Sequence, residues 1–232
     1  MSHGVPIHLR PTAPLGERVL LPGDPGRALA LAQSLLSEPR MFNHHRGLWG
    51  YTGAADDGEP LTIQATGMGG PSAAIVLREL IDLGAKAAIR VGTCGALDAE
   101  LTLGELVIAR EAICADGTSR ALGAGERAPA DGALTDALVR HAPAARVGAV
   151  VSVDVFYENE RDRRDHRANA LAVEMEAAAL FAVGAAAGVP VACVLTVSDV
   201  FDARGTRTRI DDHALLAAAE AMGRTAIAAV SA

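Results

Sequence analysis

Residues 87–96 read Ala-Ala-Ile-Arg-Val-Gly-Thr-Cys-Gly-Ala, and this stretch decides how the chain folds. Its first half is apolar except for Arg90, which predicts a strand over Ala87–Val91 that is covered on both faces of a parallel sheet. An arginine is costly in such a place unless it has a partner. Gly92 and Thr93 follow, so backbone N–H groups and a hydroxyl can surround an anion. We interpret the stretch as a strand ending in a phosphate-binding turn. An internal salt bridge of Arg90 to an acidic residue is the alternative.

Strand-like runs alternate with helical patterns through the rest of the chain. Further strands are predicted over Arg18–Leu21, Leu61–Thr66, Glu105–Ala109, Gly148–Ser152, Ala170–Val173 and Val191–Val197. Helices are predicted over Gly26–Leu36, Pro71–Leu83, Ala133–His141, Met175–Ala187 and Asp211–Val230. This order predicts a single α/β domain over residues 1–232, with a mixed, mostly parallel central sheet flanked by helices. Gly117–Gly132 and Asp202–Asp212 are interpreted as loops.

The overall composition of the chain limits the classes of partner and cellular location that it can have. The chain has 232 residues, and only 3% of them are aromatic, which argues for an aliphatic core. The net charge of −7 argues against nucleic acid or an anionic membrane as a partner. No apolar run reaches the ~18 residues of a membrane span. Three cysteines are widely spaced and show no metal-ligand spacing, so we expect reduced thiols, a cytoplasmic location and no metal: Cys94, Cys114 and Cys193.

A second glycine-bearing turn follows the strand Arg18–Leu21. It reads Pro22-Gly23-Asp24-Pro25-Gly26-Arg27, and a predicted helix begins within it. Gly23 lets the backbone approach an anion closely, and the helix N-terminus adds a favourable dipole. Arg27 lies about one helical turn further on and can reach back over the pocket. The turn therefore indicates a second phosphate contact, with an ordinary Pro-Gly turn and a solvated arginine as the alternative.

Six motifs occur in an order that resembles the nucleoside phosphorylases of the bacterial hexameric type, which include purine nucleoside and uridine phosphorylases. They are Leu21-Pro22-Gly23-Asp24-Pro25, Arg46-Gly47, Gly67-Met68-Gly69, Arg90–Ala96, Val173-Glu174-Met175-Glu176-Ala177-Ala178 and Thr196-Val197-Ser198-Asp199. The resemblance runs from about His8 to Asp199. It implies a homo-oligomer, a hexamer built as a trimer of dimers, with sites shared between subunits. It also implies nucleoside and inorganic phosphate as substrates and no cofactor.

The resemblance also implies a role for each matching residue. Phosphate would be bound by Gly23, Arg27, Arg90 and Thr93 of one subunit and by Arg46 of a neighbour. Ribose would be bound by Met175, Glu176 and a neighbour's His8. The base would lie against Phe156 and Ser198, with Asp199 as the general acid.

The chemistry of phosphorolysis suits these residue types. Arginines gather the anionic nucleophile, Glu176 can accept hydrogen bonds from two ribose hydroxyls, and Asp199 can protonate the leaving base, which we expect at N7. The alternatives are a helix N-cap for Asp199 and a surface carboxylate for Glu176. An arginine that assists the acid is also expected from the resemblance. Arg204, Arg207 and Arg209 crowd the loop where it belongs, and we choose Arg207.

Three other functions stay open on the sequence. Asn159-Glu160-Arg161 is similar to the uracil-reading residues of uridine phosphorylases, although the spacing differs by about one residue. A hydrolytic nucleosidase of the methylthioadenosine type would share Glu176 and Asp199, but its nucleophile is water and it has no phosphate for three arginines to bind. A non-catalytic nucleoside-binding protein on the same fold is the third.

Overall fold

A computed structural model describes residues 6–157, 169–202 and 204–231. Eleven strands in these ranges belong to one sheet. They are β1 (Arg18–Leu21), β2 (Ser37–Asn43), β3 (Gly50–Ala54), β4 (Pro60–Gln64), β5 (Ala87–Ala96), β6 (Leu106–Cys114), β7 (Arg127–Pro129), β8 (Arg146–Ser152), β9 (Ala172–Glu174), β10 (Val191–Phe201) and β11 (Arg207–Arg209). The helices are α1 (Pro25–Leu35), α2 (Gly70–Asp82), α3 (Gly117–Ala121), α4 (Gly132–His141), α5 (Ala177–Ala187) and α6 (Asp212–Val230).

The sheet is mixed, with four parallel strands side by side and antiparallel pairs on both sides of them. β4, β1, β5 and β10 run parallel side by side, whereas β2, β3 and β11 pair in the antiparallel sense. β5 pairs with both β10 and β9, and β6 and β8 connect these two. Five strands therefore close into a ring, which places β5, β9 and β10 next to one another. The predicted mixed α/β fold is confirmed.

Two layers of helices cover the sheet because its strands are apolar on both faces. α2 and α5 pack against a cluster that includes Ala88 and Cys94 of β5, and α1, α4 and α6 pack against one that includes Ile89 and Val91. Successive residues of β5 thus enter opposite cores, as strand geometry requires. At Gly223 on α6, a Cβ atom would lie 2.5 Å from a Leu35 methyl, so glycine permits the close packing of α6 on α1.

The predicted helices and strands lie close to the observed ones, and the corrections fall on polar segments. β5 continues to Ala96, so the residues after Val91 form strand and not the predicted turn. The two predicted loops contain α3, β7 and β11. β2 and β3 were not predicted. β2 is an edge strand with five exposed residues of seven, so it lacks the apolar pattern that would reveal it.

Two sequence expectations about composition can be compared with the described residues. Within those ranges, no helix is both long enough and apolar enough to cross a bilayer. The thiols of Cys94, Cys114 and Cys193 are free and buried.

Candidate active site

The two arginines predicted to bind phosphate within this chain lie near the junction of β1 and β5. Leu21, the last residue of β1, pairs with Arg90 on β5, so the turn after β1 lies beside that arginine. Asp24 caps α1 by accepting a 2.7 Å hydrogen bond from the Arg27 N–H. This cap fixes the backbone of Arg27 in the first turn of α1, four residues after Gly23.

Arg27 and Arg90 each have one buried donor without a partner in the described part of the chain. Nη1 of each guanidinium is buried and donates no hydrogen bond to any described residue. Burial, followed by the positive charge of Arg90, lowers the pKa of Arg27, while Asp24 and Glu176 act in the opposite direction. Buried donors without partners cost free energy. An oxyanion between the two guanidinium groups would satisfy both donors and relieve the repulsion between the charges.

Glycines make room for this arrangement. A Cβ at position 92 would lie 2.7 Å from the Arg90 Cζ, so only glycine lets the guanidinium fold back along its own strand. A Cβ at position 23 would lie 3.3 Å from the Gly67 carbonyl oxygen and 4.0 Å from Nη2 of Arg27. The turn is therefore tight but not closed to a side chain. Thr93, one residue beyond Gly92, is half-buried.

Two buried carboxylates neutralise Arg90. Its Nε donates to Glu174 at 2.9 Å, and its Nη2 donates to Glu176. The antiparallel pairing of β5 with β9 produces this contact, because it places the residues after Val173 beside β5. The internal salt bridge considered as the alternative for Arg90 therefore exists, and it leaves Nη1 free for an anion.

Glu174 is the more completely bonded of the two acids. It accepts hydrogen bonds from Arg90, the Ser152 hydroxyl and the backbone N–H groups of Glu176 and Ala177. Burial raises the pKa of Glu174, whereas Arg90 acts in the opposite direction. All of its contacts are donors, which is the environment of an ionised carboxylate. No functional role is predicted for Glu174 from the sequence, although a carboxylate at the end of an apolar strand is a signal of a buried ion pair.

Glu176 is buried and lies at the N-cap of α5. Its Oε1 accepts a hydrogen bond of 2.5 Å from the Gly69 N–H, so the glycine-rich turn before α2 also reaches this carboxylate. The surface-carboxylate alternative is wrong. Met175 is half-buried and packs against a small cluster that contains Val153 and Ala170.

The base end of the site lies further along β5 and β10. A register shift between Val197 and Asp199 interrupts the pairing of β10 with β5. Such a bulge re-aims side chains, and here Ser198 and Asp199 are both only 3% exposed. The Ser198 hydroxyl lies 2.6 Å from Asp199 Oδ2 and 3.2 Å from the carbonyl oxygen of Cys94. Asp199 lies inside a strand, so the N-cap alternative is wrong.

Arg207 on β11 contacts this acid directly. Its Nε donates to Asp199 Oδ1 at 2.7 Å, and its guanidinium lies 4.5 Å from the ring centre of Phe156. Phe156 is half-exposed. The structure thus brings Asp199, Arg207 and Phe156 together.

The end of the site at Arg90 and the end at Ser198 and Asp199 are close to each other. The Arg90 guanidinium covers Gly92, and the Cys94 carbonyl that contacts Ser198 is two residues, or about 7 Å, further along β5. Glu176 contacts Arg90 between them. Arg90, Glu176 and the Ser198–Asp199 pair are thus connected through β5, and their roles toward phosphate, ribose and base stay predictions.

Among the described residues, His8 and Arg46 form no hydrogen bond or ion pair with Arg27, Arg90, Glu176 or Asp199. The His8 ring and the backbone N–H groups of Ile7 and Leu9 bind the Glu79 carboxylate, which is nine residues, about 14 Å, along α2 from Gly70. Arg46 is exposed, has a φ of 59°, and forms no ion pair with a described residue. The two are near each other, because the ring of His45 contacts the His8 carbonyl oxygen at 3.0 Å.

The described residues include no group of three or more His, Cys, Asp or Glu side chains arranged to hold a metal ion. Asn159–Arg161, which resembles a uracil reader, lies outside the described residues.

The fold and the site define a class of α/β proteins in which two arginines with buried, unpartnered donors accompany buried carboxylates. Comparison with known proteins narrows that class. A family model described as the phosphorylase superfamily matches residues 17–231. The chain therefore belongs to the phosphorylase superfamily, and the resemblance to nucleoside phosphorylases is confirmed.

Relatives and solved structures agree with this family. A purine nucleoside phosphorylase DeoD-type of Oceanobacillus iheyensis is 38% identical over 195 residues, covering 80% of this chain and 83% of the relative. That of Geobacillus kaustophilus is 40% identical over 196 residues, with coverage of 81% and 83%. The crystal structure of uridine phosphorylase from Vibrio fischeri ES114 has a TM-score of 0.82 at 27% identity and covers 94% of this chain and 92% of that one.

Proposed function

We propose that the protein catalyses the phosphorolysis of purine ribonucleosides and 2′-deoxyribonucleosides to the free base and (deoxy)ribose 1-phosphate. The observation that carries this proposal is the pair of buried, unpartnered Nη1 atoms of Arg27 and Arg90, which lie beside the buried Glu176. Inorganic phosphate is the co-substrate that would satisfy them, and the reaction needs no further cofactor. The names of the relatives support a purine nucleoside as the other substrate.

Each step of the reaction has a candidate group. Arg27 and Arg90 hold phosphate against C1′, with Gly23 and Thr93 lining the pocket. Glu176 accepts hydrogen bonds from the ribose hydroxyls above Met175 and counters the positive charge that develops on the ring. A phosphate oxygen bonds to C1′ as the C1′–N9 bond breaks, the electron pair of that bond passes to the purine, and Asp199, in its protonated form, gives its proton to N7. Arg207 orients Asp199, and Phe156 and Ser198 border the base.

The test is the release of base from inosine, uridine and methylthioadenosine, each with and without phosphate. Phosphate-dependent release from inosine supports the proposal. Release that proceeds equally well without phosphate would identify a nucleosidase instead. Preferential cleavage of uridine would favour uridine phosphorylase, the function of the Vibrio fischeri neighbour. Tight binding without any release would leave a nucleoside-binding protein.

Replacing Arg27 with glutamine is expected to separate function from stability. A hydrogen bond to a charged group contributes about 1.5–3 kcal/mol, so the KM for phosphate should rise about 10- to 100-fold. The free energy of unfolding should stay equal or increase, since burial and Arg90 both disfavour the charge of Arg27. Phosphate-dependent kinetics and chemical denaturation measure the two effects. Arg140→Gln, at an exposed arginine on α4, is the control. An unchanged phosphate KM would contradict the assignment.

We also propose that active sites are shared between subunits of a homo-oligomer, a hexamer built as a trimer of dimers. His8 and Arg46 lie near each other, and neither bonds to Arg27, Arg90 or Glu176 of its own chain in the described ranges. Their placement suits a pair that completes a neighbour's site, where Arg46 binds phosphate and His8 contacts ribose. The negative net charge favours small-molecule substrates over nucleic acid, and the free cysteines favour a cytoplasmic location.

Coexpressing the inactive variants Arg46→Gln and Asp199→Asn is expected to restore activity. In a mixed dimer, one site combines the intact Asp199 of the first chain with the intact Arg46 of the second, and the other site carries both changes. Mixed oligomers, purified through two different tags, should therefore show phosphorolysis well above either variant alone, up to half of the wild-type rate per dimer. Sites contained within single chains would give no recovery.

A further inference from the structure

β11 presents two arginines to the buried acid. Arg207 and Arg209 are two residues apart on one strand and so project from the same face. Arg207 donates to Asp199 Oδ1, while Nη1 of Arg209 lies 3.6 Å from the same oxygen. β11 pairs antiparallel with β10, with Arg209 opposite Asp199. The base end of the site is therefore bordered by two guanidinium groups.

Arg209 differs from Arg207 in having its donors free. The Nε of Arg207 is bonded to Asp199, and its face lies over Phe156. Arg209 is 59% exposed at its side chain and donates no hydrogen bond to any described residue, because 3.6 Å is beyond hydrogen-bond length. Its positive charge also acts on Arg27 at the phosphate end. Arg209 therefore offers unused N–H donors to whatever lies between the two ends.

We propose that Arg209 determines specificity by binding the carbonyl oxygen next to N7, so that the enzyme favours 6-oxopurine over 6-aminopurine nucleosides. The inference rests on the proposed phosphorolysis. The N7 edge of guanine presents two acceptors, O6 and N7, and arginine is their usual partner. At the same edge adenine presents the N6 amino group, which is a donor. An amino group would face the donors of Arg209 without a hydrogen bond.

The same contact acts in the transition state. When the C1′–N9 bond breaks and a phosphate oxygen bonds to C1′, the electron pair enters the purine ring while Asp199 gives its proton to N7. In a 6-oxopurine, part of that negative charge is carried by O6. A guanidinium already in place at O6 stabilises the charge as it develops. Arg209 should therefore influence kcat as well as KM for 6-oxopurine substrates.

The test compares kcat/KM for inosine and adenosine in the wild type and in Arg209→Gln, at saturating phosphate. We expect the wild type to favour inosine by about tenfold or more, and Arg209→Gln to lower this ratio by about tenfold, as for the loss of one specific base contact. Arg204→Gln is the matched control, since Arg204 lies in the same hairpin and forms no side-chain ion pair with a described residue. It should keep the wild-type ratio. If Arg209 had only a structural role, Arg209→Gln would lower kcat/KM equally for inosine and adenosine.

Several results would overturn the inference. A wild type that cleaves the two nucleosides equally, or a ratio that Arg209→Gln does not change, excludes Arg209 as the specificity residue. Preferential cleavage of uridine, which also carries a carbonyl oxygen, would show that the donors select a pyrimidine. Failure of the proposed function is distinguishable, because no nucleoside would then show phosphate-dependent release. If no nucleoside shows phosphate-dependent release, the proposed phosphorolysis and the role of Arg209 are both wrong.

Discussion

Replacing Asp199 with asparagine is expected to lower kcat/KM for inosine by about 10²- to 10⁴-fold, the contribution of a general acid. The substitution keeps the size of the side chain and removes its ability to give a proton to N7. Ser198 and Arg207 both hold the Asp199 carboxylate in place. Steady-state phosphorolysis of inosine measures the loss, and the KM for phosphate should change little because Arg27 and Arg90 are intact. Asp136→Asn, at an exposed surface acid, is the matched control.

The substrate can also bypass the acid. A nucleoside methylated at N7 already carries positive charge on its base, so the base leaves without a proton. The Asp199→Asn variant should therefore cleave 7-methylinosine at a rate within about tenfold of the wild type while it is severely impaired on inosine. Equal losses on both substrates would contradict a role in proton transfer and would assign Asp199 to binding or structure.

The sequence predicts the parallel centre of the fold better than its edges. Strands such as β1 and β10 are continuous apolar runs, which packing on both faces produces and which a reader can recognise. β2 and β11 are short or exposed edge strands whose pairing depends on neighbours far along the chain. The closure of the five-stranded ring that places β5 beside β9 and β10 depends on such long-range pairing as well. No local pattern encodes it.

The candidate site divides in the same way. Arg90 is conspicuous because it interrupts an apolar strand, and Arg27 because it follows a proline-glycine turn. Their shared property, a buried Nη1 without a partner, arises only when the turn after β1 packs beside β5. The bonding of Arg90 to Glu174 joins residues that are 84 positions apart. Arg209 likewise lies beside Asp199 only because β11 pairs with β10.

Replacing Glu174 with glutamine is expected to destabilise the fold by about 3–5 kcal/mol, the usual cost of breaking a buried ion pair. The carboxylate accepts hydrogen bonds from Arg90, Ser152 and two backbone N–H groups, and the amide must turn a donor toward some of them. Chemical denaturation measures the change. Glu111→Gln, which removes a surface pair with Arg127, should cost no more than about 1 kcal/mol. A similarly small cost for Glu174→Gln would show that the buried pair is not needed for stability.

A double variant tests whether the cost belongs to the pair. Arg90→Met removes the buried charge that Glu174 neutralises, so in Arg90→Met/Glu174→Gln neither residue leaves the other ionised and unpaired. The double variant should therefore be more stable than the sum of the two single changes predicts, by about 0.5–3 kcal/mol. Phosphate should raise the melting temperature of the wild type but not of the double variant, because ligand stabilisation requires a binding site. Additive losses would mean that Glu174 acts mainly on Ser152 and the start of α5. Phosphate stabilisation retained without Arg90 would place the anion elsewhere.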